Sequence, residues 1–165
     1  MKKFLPMLLL AFVGLFIFSC KDDDEDFDTY SRVADVTGSF NNGNSYAFRQ
    51  GINIEGTDVV LVYRWLGDSW QLIPKMMYLT NNREFQYNFI FDTQNVQISI
   101  DDENFDLSTL NASGEAAQYL NNQRFRIVLV PASAGKNAGV NYENYNSVIK
   151  YYNIDDSKVK VTKSN

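Results

Sequence analysis

The stretch EFQYNFIFDTQNVQISI, residues 84–100, decides the fold, because apolar and polar side chains alternate along most of it. The alternating apolar positions are Phe85, Tyr87, Phe89, Phe91, Val96, Ile98 and Ile100. Successive side chains of a strand point to opposite faces, so each run of the pattern places its apolar side chains on one face. With a turn at Thr93-Gln94, the pattern predicts an antiparallel hairpin over residues 84–101 with one face exposed to solvent.

Further strands follow from the same kind of pattern. They are predicted at residues 33–40, 46–54, 59–66, 70–73, 76–79 and 124–130, with Asn- or Gly-containing turns between several of them. The side chains expected to face inward are Tyr46, Phe48, Ile52, Ile54, Phe125, Ile127 and Leu129. Residues 59–66 are apolar on both faces apart from Arg64, so this strand is expected to be central and covered on both sides.

One helix is predicted near the C-terminal end. Its apolar residues, Tyr142, Tyr145, Val148, Ile149 and Tyr152, recur at intervals of three and four, which makes one stripe. We expect this helix to lie over a sheet edge or over the open mouth of the sheets, and residues 112–120 allow a second short helix. About seven or eight short strands without alternating helices predict a single all-β domain over residues 34–165. An antiparallel β-sandwich and a partly open barrel both fit.

The first 19 residues have the pattern of an export signal. Lys2 and Lys3 precede an apolar run from Phe4 to Phe18, which is the usual order in a signal peptide. This run of 15 residues is shorter than the roughly 20 that a membrane span needs, and an acidic block follows it. The pattern therefore favours a removable signal over a retained transmembrane helix.

The only cysteine of the chain, Cys20, follows this segment directly. The sequence Ile17-Phe18-Ser19-Cys20 resembles a bacterial lipobox, in which the cysteine is acylated, with palmitate or a related chain, and becomes the new N-terminus. The resemblance implies a lipoprotein anchored by two or three acyl chains, which hold a protein stably on a membrane. The plainer alternative is a free thiol near an ordinary cleavage site, since no second cysteine exists for a disulfide.

An acidic run follows the cysteine. It consists of Lys21, Asp22, Asp23, Asp24, Glu25 and Asp26. Like charges repel and keep such a segment extended, so we expect residues 20–33 to be a flexible tether. The run also resembles the export signal of Bacteroidota lipoproteins, which implies a position on the outer face of the outer membrane. As a tether alone, it would leave the protein on the periplasmic face.

Composition excludes several functions. Without residues 1–19 the chain has 13 basic and 20 acidic residues, and without residues 21–28 as well the balance is 12 against 14. The remaining body is nearly neutral and shows no basic patch of the kind that nucleic-acid binding requires. The chain contains no histidine, so Ser-His-Asp and Cys-His catalysis and histidine-ligated zinc are excluded. No phosphate-binding glycine loop or redox dithiol is present, and no cofactor is expected.

Carboxylate chemistry is the catalytic possibility that remains. Acids are available on predicted turns and strand ends at Asp58, Asp68, Glu84, Asp92, Glu103 and Asp106. Glycoside hydrolysis needs only two carboxylates about 5 to 10 Å apart, yet the pattern singles out no pair. The cluster of Asp101, Asp102, Glu103 and Asp106 lacks the spacing of a calcium loop, so no catalytic residue and no metal site is assigned.

Two tryptophans are the candidate ligand-binding residues. Trp65 and Trp70 flank the turn over residues 66–69. If Trp70 faces water, one or both rings can form a stacking platform for a sugar or another ligand. The alternative is that both rings belong to the core, which is the commoner fate of large aromatic side chains.

Taken together, the chain resembles a set of small lipoproteins of Flavobacteria and related Bacteroidota. The segments that carry the resemblance are the lipobox, the acidic run, GTDVVLVYRW, WQLIP, EFQYNFIFDTQNVQISI, NFDLSTL and QRFRIVLVPAS. No activity or binding residue is assigned in that set, so the resemblance implies location and fold only. The expected function is a non-catalytic binding module for a glycan or an envelope protein. A structural accessory subunit of an outer-membrane complex is the alternative, and a carboxylate-based hydrolase comes third.

Overall fold

The computed structural model describes residues 32–54, 56, 58–131 and 139–164. This part of the chain forms nine strands, three short α-helices and two 3-10 helices of three residues each, at Asn42–Asn44 and Thr80–Asn82. The strands are β1 (Arg32–Gly38), β2 (Ala47–Gly51), β3 (Val59–Trp65), β4 (Trp70–Ile73), β5 (Lys75–Tyr78), β6 (Glu84–Phe91), β7 (Asn95–Asp101), β8 (Gln123–Val130) and β9 (Val161–Lys163). The helices are α1 (Thr109–Ala112), α2 (Ala116–Tyr119) and α3 (Tyr145–Tyr151). None of these helices is long and apolar enough to cross a membrane.

The strands form two sheets. Sheet A has the order β4-β3-β8-β1-β9, and sheet B has the order β2-β7-β6-β5. Sheet B is antiparallel, but in sheet A the short strand β9 runs parallel to β1. The prediction of purely antiparallel strands was therefore wrong at this edge. The described strands form two separate sheets and no closed barrel.

The hairpin that the sequence predicted is the centre of sheet B. Strands β6 and β7 pair in antiparallel register from Gln86 opposite Asp101 to Phe91 opposite Val96. Their inward side chains Phe85, Tyr87, Val96 and Ile98 are fully buried, whereas the residues between them remain partly accessible. The alternation of apolar and polar residues thus sets which face of the hairpin meets the core.

The inner faces of the two sheets meet in one aromatic core. The Phe125 ring of sheet A lies 5.8 Å from the ring of Phe48 and 5.9 Å from that of Tyr87, both in sheet B. At Gly38 the sheets approach so closely that a Cβ atom would lie 2.5 Å from the Phe48 ring. Only glycine fits there, so the end of β1 and the Phe48 ring of β2 fix each other's position.

The aromatic stripe of β6 is buried along only part of its length. Phe89 packs partly against the core, but Phe91 is 47% exposed, which corrects the expectation that it faces inward. The reason is the length of the neighbouring strand: β5 pairs with β6 only as far as Tyr87, so the last residues of β6 pair with β7 alone. Phe91 instead stacks on Phe89, with the ring centroids 6.3 Å apart.

Strand β3 lies between β4 and β8, and it is covered on both faces as its sequence predicted. Val60 and Val62 face the aromatic core. On the other face Tyr63 packs with Tyr145 and Val148 of α3. The predicted apolar stripe of the C-terminal helix is therefore confirmed, and the helix covers the outer face of sheet A from the edge strand β4 across β3 to β8.

The region between β7 and β8 contains two single-turn helices instead of the one that residues 112–120 allowed. Gly114, with a positive φ of 75°, separates α1 from α2. Leu110 of α1 and Ala116 of α2 are buried against the aromatic core.

Glu115 accepts hydrogen bonds from the Ser113 hydroxyl and from Arg83, and these bonds lower the pKa of its carboxyl. The bond from Arg83, which directly precedes β6, ties the start of α2 to sheet B.

We expect Phe125→Ala to lower the free energy of unfolding by about 3–5 kcal/mol, because it empties the centre of the aromatic core. The measurement is chemical denaturation followed by circular dichroism. Ile90→Ala is the matched control, since Ile90 is 63% exposed and its loss should change stability by less than about 0.5 kcal/mol. Equal losses in the two variants would contradict the assignment of Phe125 to the core.

Candidate ligand-binding site at the tryptophan pair

Trp65 and Trp70 lie opposite each other in the β3–β4 ladder, as the last residue of one strand and the first of the next. The intervening turn closes through the hydrogen bond from the Leu66 N–H to the Ser69 carbonyl, at 2.9 Å. The two ring centroids are 4.8 Å apart with a tilt of 54°, and both side chains are partly buried. Trp70 packs against the apolar cluster under α3, with its ring centroid 5.7 Å from that of Tyr145, whereas Trp65 belongs to neither apolar cluster of the described residues.

Two arginines of β8 lie against the tryptophan rings. The Arg126 Cζ atom is 4.4 Å from the Trp70 ring centroid. The Arg124 Cζ atom is 5.6 Å from the Trp70 centroid and 6.0 Å from the Trp65 centroid. The face of an aromatic ring attracts a cation, so the two guanidinium groups hold the indole rings in place on the outer face of sheet A.

A fully buried carboxylate, Asp35 of β1, binds both arginines. Arg126 donates from Nε to Oδ1 at 2.6 Å and from Nη2 to Oδ2 at 3.0 Å, and Arg124 donates from Nε to Oδ2 at 3.0 Å and also from Nη2. A charge is retained in such a place only when it is paired and hydrogen-bonded. Asp35 therefore connects β1 to two residues of the neighbouring strand.

The segment that contains α3 is bound to the same cluster. Arg126 donates from Nη1 to the Tyr145 hydroxyl at 2.5 Å and to Asp156 Oδ2 at 2.9 Å, and the Tyr145 hydroxyl donates to Asp156 at 2.6 Å. Burial and the Asp156 bond raise the pKa of Tyr145, so this hydroxyl stays a donor. Burial alone would lower the pKa of Arg126, but its bonds to Asp35 and Tyr145 raise it instead. The guanidinium therefore remains charged.

A cleft of about 350 Å³ opens beside Trp70. We call it the asparagine cleft; it is lined by Asp68, Ser69, Trp70, Asn141, Glu143, Asn144, Tyr145 and Asn146. The Asn144 side chain also caps α3 by accepting the Ser147 N–H at 3.1 Å. A carboxamide both donates and accepts hydrogen bonds, so this lining offers both to a bound molecule.

A second cleft, of about 560 Å³, opens beside Trp65. We call it the arginine cleft; it is lined by Arg64, Trp65, Leu66, Ala117, Gln118, Asn121, Asn122, Gln123 and Arg124. It lies where the β3–β4 turn meets α2 and the start of β8. Because the two indole rings are in contact, the tryptophan pair connects the walls of both clefts.

Arg64 and Gln123 are the two buried residues of the arginine cleft, and 5% of the Arg64 surface is exposed. Arg64 donates to Gln123 Oε1 from Nε at 3.1 Å and from Nη2 at 2.7 Å, and to the Gln118 carbonyl at 2.7 Å. Its Cζ atom lies 4.6 Å from the Tyr87 ring centroid. All of these partners are neutral.

The structure describes some of the site residues that the sequence predicted and does not describe others. The structure brings Trp65 and Trp70 together, as their positions around one turn suggested. Cys20 and the acidic run of residues 21–26 lie outside the described residues, so their roles stay predictions. Within the described ranges, no three acidic or cysteine side chains are grouped so that they could hold a metal ion.

The acids considered for catalysis have mainly local roles in the structure. Asp92 accepts the backbone N–H groups of Gln94 and Asn95 at 2.7 Å each, which lowers the pKa of its carboxyl. Asp106 accepts the Ser108 N–H in the turn before α1, and its hydrogen bonds with Ser108 lower the pKa of its carboxyl. Asp68 lines the asparagine cleft, but it is exposed and accepts a hydrogen bond from the neighbouring Ser69 hydroxyl.

The charged residues around the tryptophans were missed by sequence reasoning. Arg124 and Arg126 are two residues apart in a strand that is otherwise mostly apolar, which places both on the outer face. Asp35 is the one acid within β1. This periodicity was a usable signal, but no sequence pattern showed that β1 and β8 are neighbours.

Comparison with known proteins provides no relative from which a function can be transferred. No protein-family model matches the chain, and neither the curated proteins nor the solved structures give a match. Function has to be inferred from the side chains of this chain.

We expect Asp35→Asn to lower the free energy of unfolding by about 3 kcal/mol, because it leaves two arginines without their shared buried carboxylate. Chemical denaturation at neutral pH measures the loss. Asp102→Asn is the matched control: Asp102 is exposed and has a positive φ of 52°, which asparagine adopts readily. A loss below about 0.5 kcal/mol for Asp35→Asn would show that the cluster adds nothing to stability.

Proposed function

We propose that this protein is a non-catalytic, lipid-anchored β-sandwich module of the outer membrane that binds a glycan at the tryptophan pair. The observation that carries the proposal is the position of the two partly buried indole rings, in contact with each other and each lining a cleft rich in carboxamides. Binding sites for small molecules are typically concave, with aromatic walls and a few well-placed polar groups.

The chemistry of the two clefts matches that of a sugar. A pyranose has an apolar face, which packs on an indole ring, and a rim of hydroxyl groups, which need both donors and acceptors. The clefts provide carboxamides on both sides of the rings, among them Asn141 and Asn144 on one side and Asn121 and Asn122 on the other. A saccharide of several units would fit this arrangement better than a single small molecule, since it can contact both clefts.

The proposed location rests on the N-terminal sequence. The lipobox that ends at Cys20 supports a lipid anchor, and the acidic run of residues 21–26 supports export to the cell surface. A nearly neutral folded part suits such a place, because it carries no strong charge of its own next to a charged membrane.

A binding module without catalysis is favoured by the roles of the acids. Asp92 and Asp106 hold turns through backbone hydrogen bonds. Asp68 and Glu143 line the asparagine cleft, but both are exposed to solvent, whereas a glycosidase acid usually lies in a hydrophobic or otherwise desolvated place.

An envelope-protein partner is the second candidate, in which the module acts as an accessory subunit of a membrane complex. The observation in its favour is the end of β6, where Ile90 is 63% and Phe91 is 47% exposed. Tyr78 on the edge strand β5 is 77% exposed as well. Exposed apolar side chains of this size are typical of the buried centre of protein interfaces.

We expect Trp65→Ala and Trp70→Ala to lower the affinity for a bound polysaccharide by about tenfold or more, since each removes a stacking surface. Affinity electrophoresis against a panel of neutral and acidic polysaccharides measures the effect. Tyr78→Ala is the matched control, because it removes an exposed aromatic side chain of sheet B and should leave binding unchanged. Thermal unfolding shows whether each variant is folded.

Two results of this experiment would contradict glycan binding. The first is a wild-type chain that is retarded by none of the polysaccharides. The second is retention that the tryptophan variants keep in full. If the wild-type chain instead pulls down an envelope protein, and Ile90→Ala with Phe91→Ala abolishes the capture, the second candidate is correct.

The location is tested by proteinase shaving of intact cells. We expect the natural chain to be digested, and a variant with alanine at Asp22, Asp23, Asp24, Glu25 and Asp26 to be protected, because that variant keeps the anchor and loses the export signal. Protection of both chains would show that the acidic run is only a tether and that the protein faces the periplasm. Digestion of both would show that another segment directs it to the surface.

A further inference from the structure

The arginine cleft has an unbalanced charge. Its lining contains Arg64 and Arg124 and no carboxylate. Arg64 is buried, and its hydrogen-bond acceptors are an amide oxygen and a backbone carbonyl, so its positive charge is solvated by neutral groups only. A buried guanidinium without a counter-charge is costly, and a bound anion would lower this cost.

The charge of Arg124 is only partly neutralised. Its carboxylate partner, Asp35, is shared with Arg126 and is fully buried. Asp156 pairs with Arg126. Arg124 and Arg126 thus share Asp35 and Asp156, whereas Arg64 has no carboxylate partner among the described residues. The two other acids near the tryptophan pair, Asp68 and Glu143, line the asparagine cleft, so the excess positive charge lies on the side of the arginine cleft. The Arg124 side chain is 36% exposed, so a ligand can reach it.

The geometry points to an anionic saccharide as the ligand: we propose that the arginine cleft binds the acidic group of a sugar, either the carboxylate of a uronic acid or a sulfate ester. A guanidinium group matches the geometry of an oxyanion and binds it more strongly than it binds a neutral oxygen. Trp65 lies in the same wall and supplies the surface for the sugar ring. This inference rests on the proposed function and narrows its ligand class.

The test uses the fluorescence of the full chain in detergent. The chain contains only two tryptophans, both in this site, so the tryptophan emission reports on it alone. The probes are oligogalacturonate, its methyl ester, sulfated dextran and unmodified dextran. The variants are Arg124→Gln and, as the matched control, Arg49→Gln, which removes the same charge from an exposed position of β2 in the other sheet.

We expect an acidic probe to bind about tenfold more tightly than its neutral counterpart, with a difference that shrinks as salt is added. Arg124→Gln should weaken the binding of the acidic probe more than that of the neutral probe and so remove the difference, and circular dichroism shows whether the variant is folded. Arg49→Gln should keep the difference. Binding of oligogalacturonate alone identifies a carboxylate ligand, and binding of sulfated dextran alone identifies a sulfate ester; both results support the inference.

Equal binding of acidic and neutral probes would overturn the inference and leave glycan binding intact. A preference that Arg124→Gln keeps, or that Arg49→Gln loses to the same extent, would also overturn it, because the charge would then act from elsewhere. If no saccharide changes the emission, the inference and the proposed function both fail.

Discussion

The pairing of the buried Asp35 with Arg126 is the interaction on which the outer half of the molecule depends. It joins β1 to β8 in the middle of sheet A, and through Tyr145 and Asp156 it binds the segment that covers this sheet. The same guanidinium lies under the Trp70 ring. A single ion pair thus positions the C-terminal helix, the tryptophan pair and the wall of the asparagine cleft. The aromatic core holds the sheets together, and the ion cluster builds the site on them.

Most of the core was predictable from local patterns. The alternation in residues 84–101 predicted the hairpin and its inward face. The apolar content of residues 59–66 predicted a central strand that is buried on both faces. The first depends on the two-residue period of a strand and the second on a continuous apolar run, and a stretch carries both signals in its own sequence. The stripe of α3 was visible for the same reason, with a helical period. What this helix covers was not visible, because that depends on strand order.

The parts that sequence reasoning missed depend on contacts between distant segments. Strand β9 has three residues, all exposed, and therefore no apolar pattern from which it could be predicted. Phe91 follows the pattern of β6 but lies beyond the reach of the short neighbour β5, which only the register shows. For the site, the tryptophans were found because one turn places them side by side. Asp35 and Arg126 are 91 residues apart, so their meeting required the fold.

The place of β1 in sheet A has a mechanical consequence. This strand is the first that the structure describes, yet it is an interior strand, with β8 on one side and β9 on the other. A pull on the chain ahead of Arg32 would load the backbone hydrogen bonds to β8 over seven residue pairs, together with the bonds to β9 and the side-chain bonds of Asp35. Tension along the strand shears these bonds together instead of opening them one at a time. A domain held by its N-terminal end would therefore resist being pulled apart by flow or by a bound polymer.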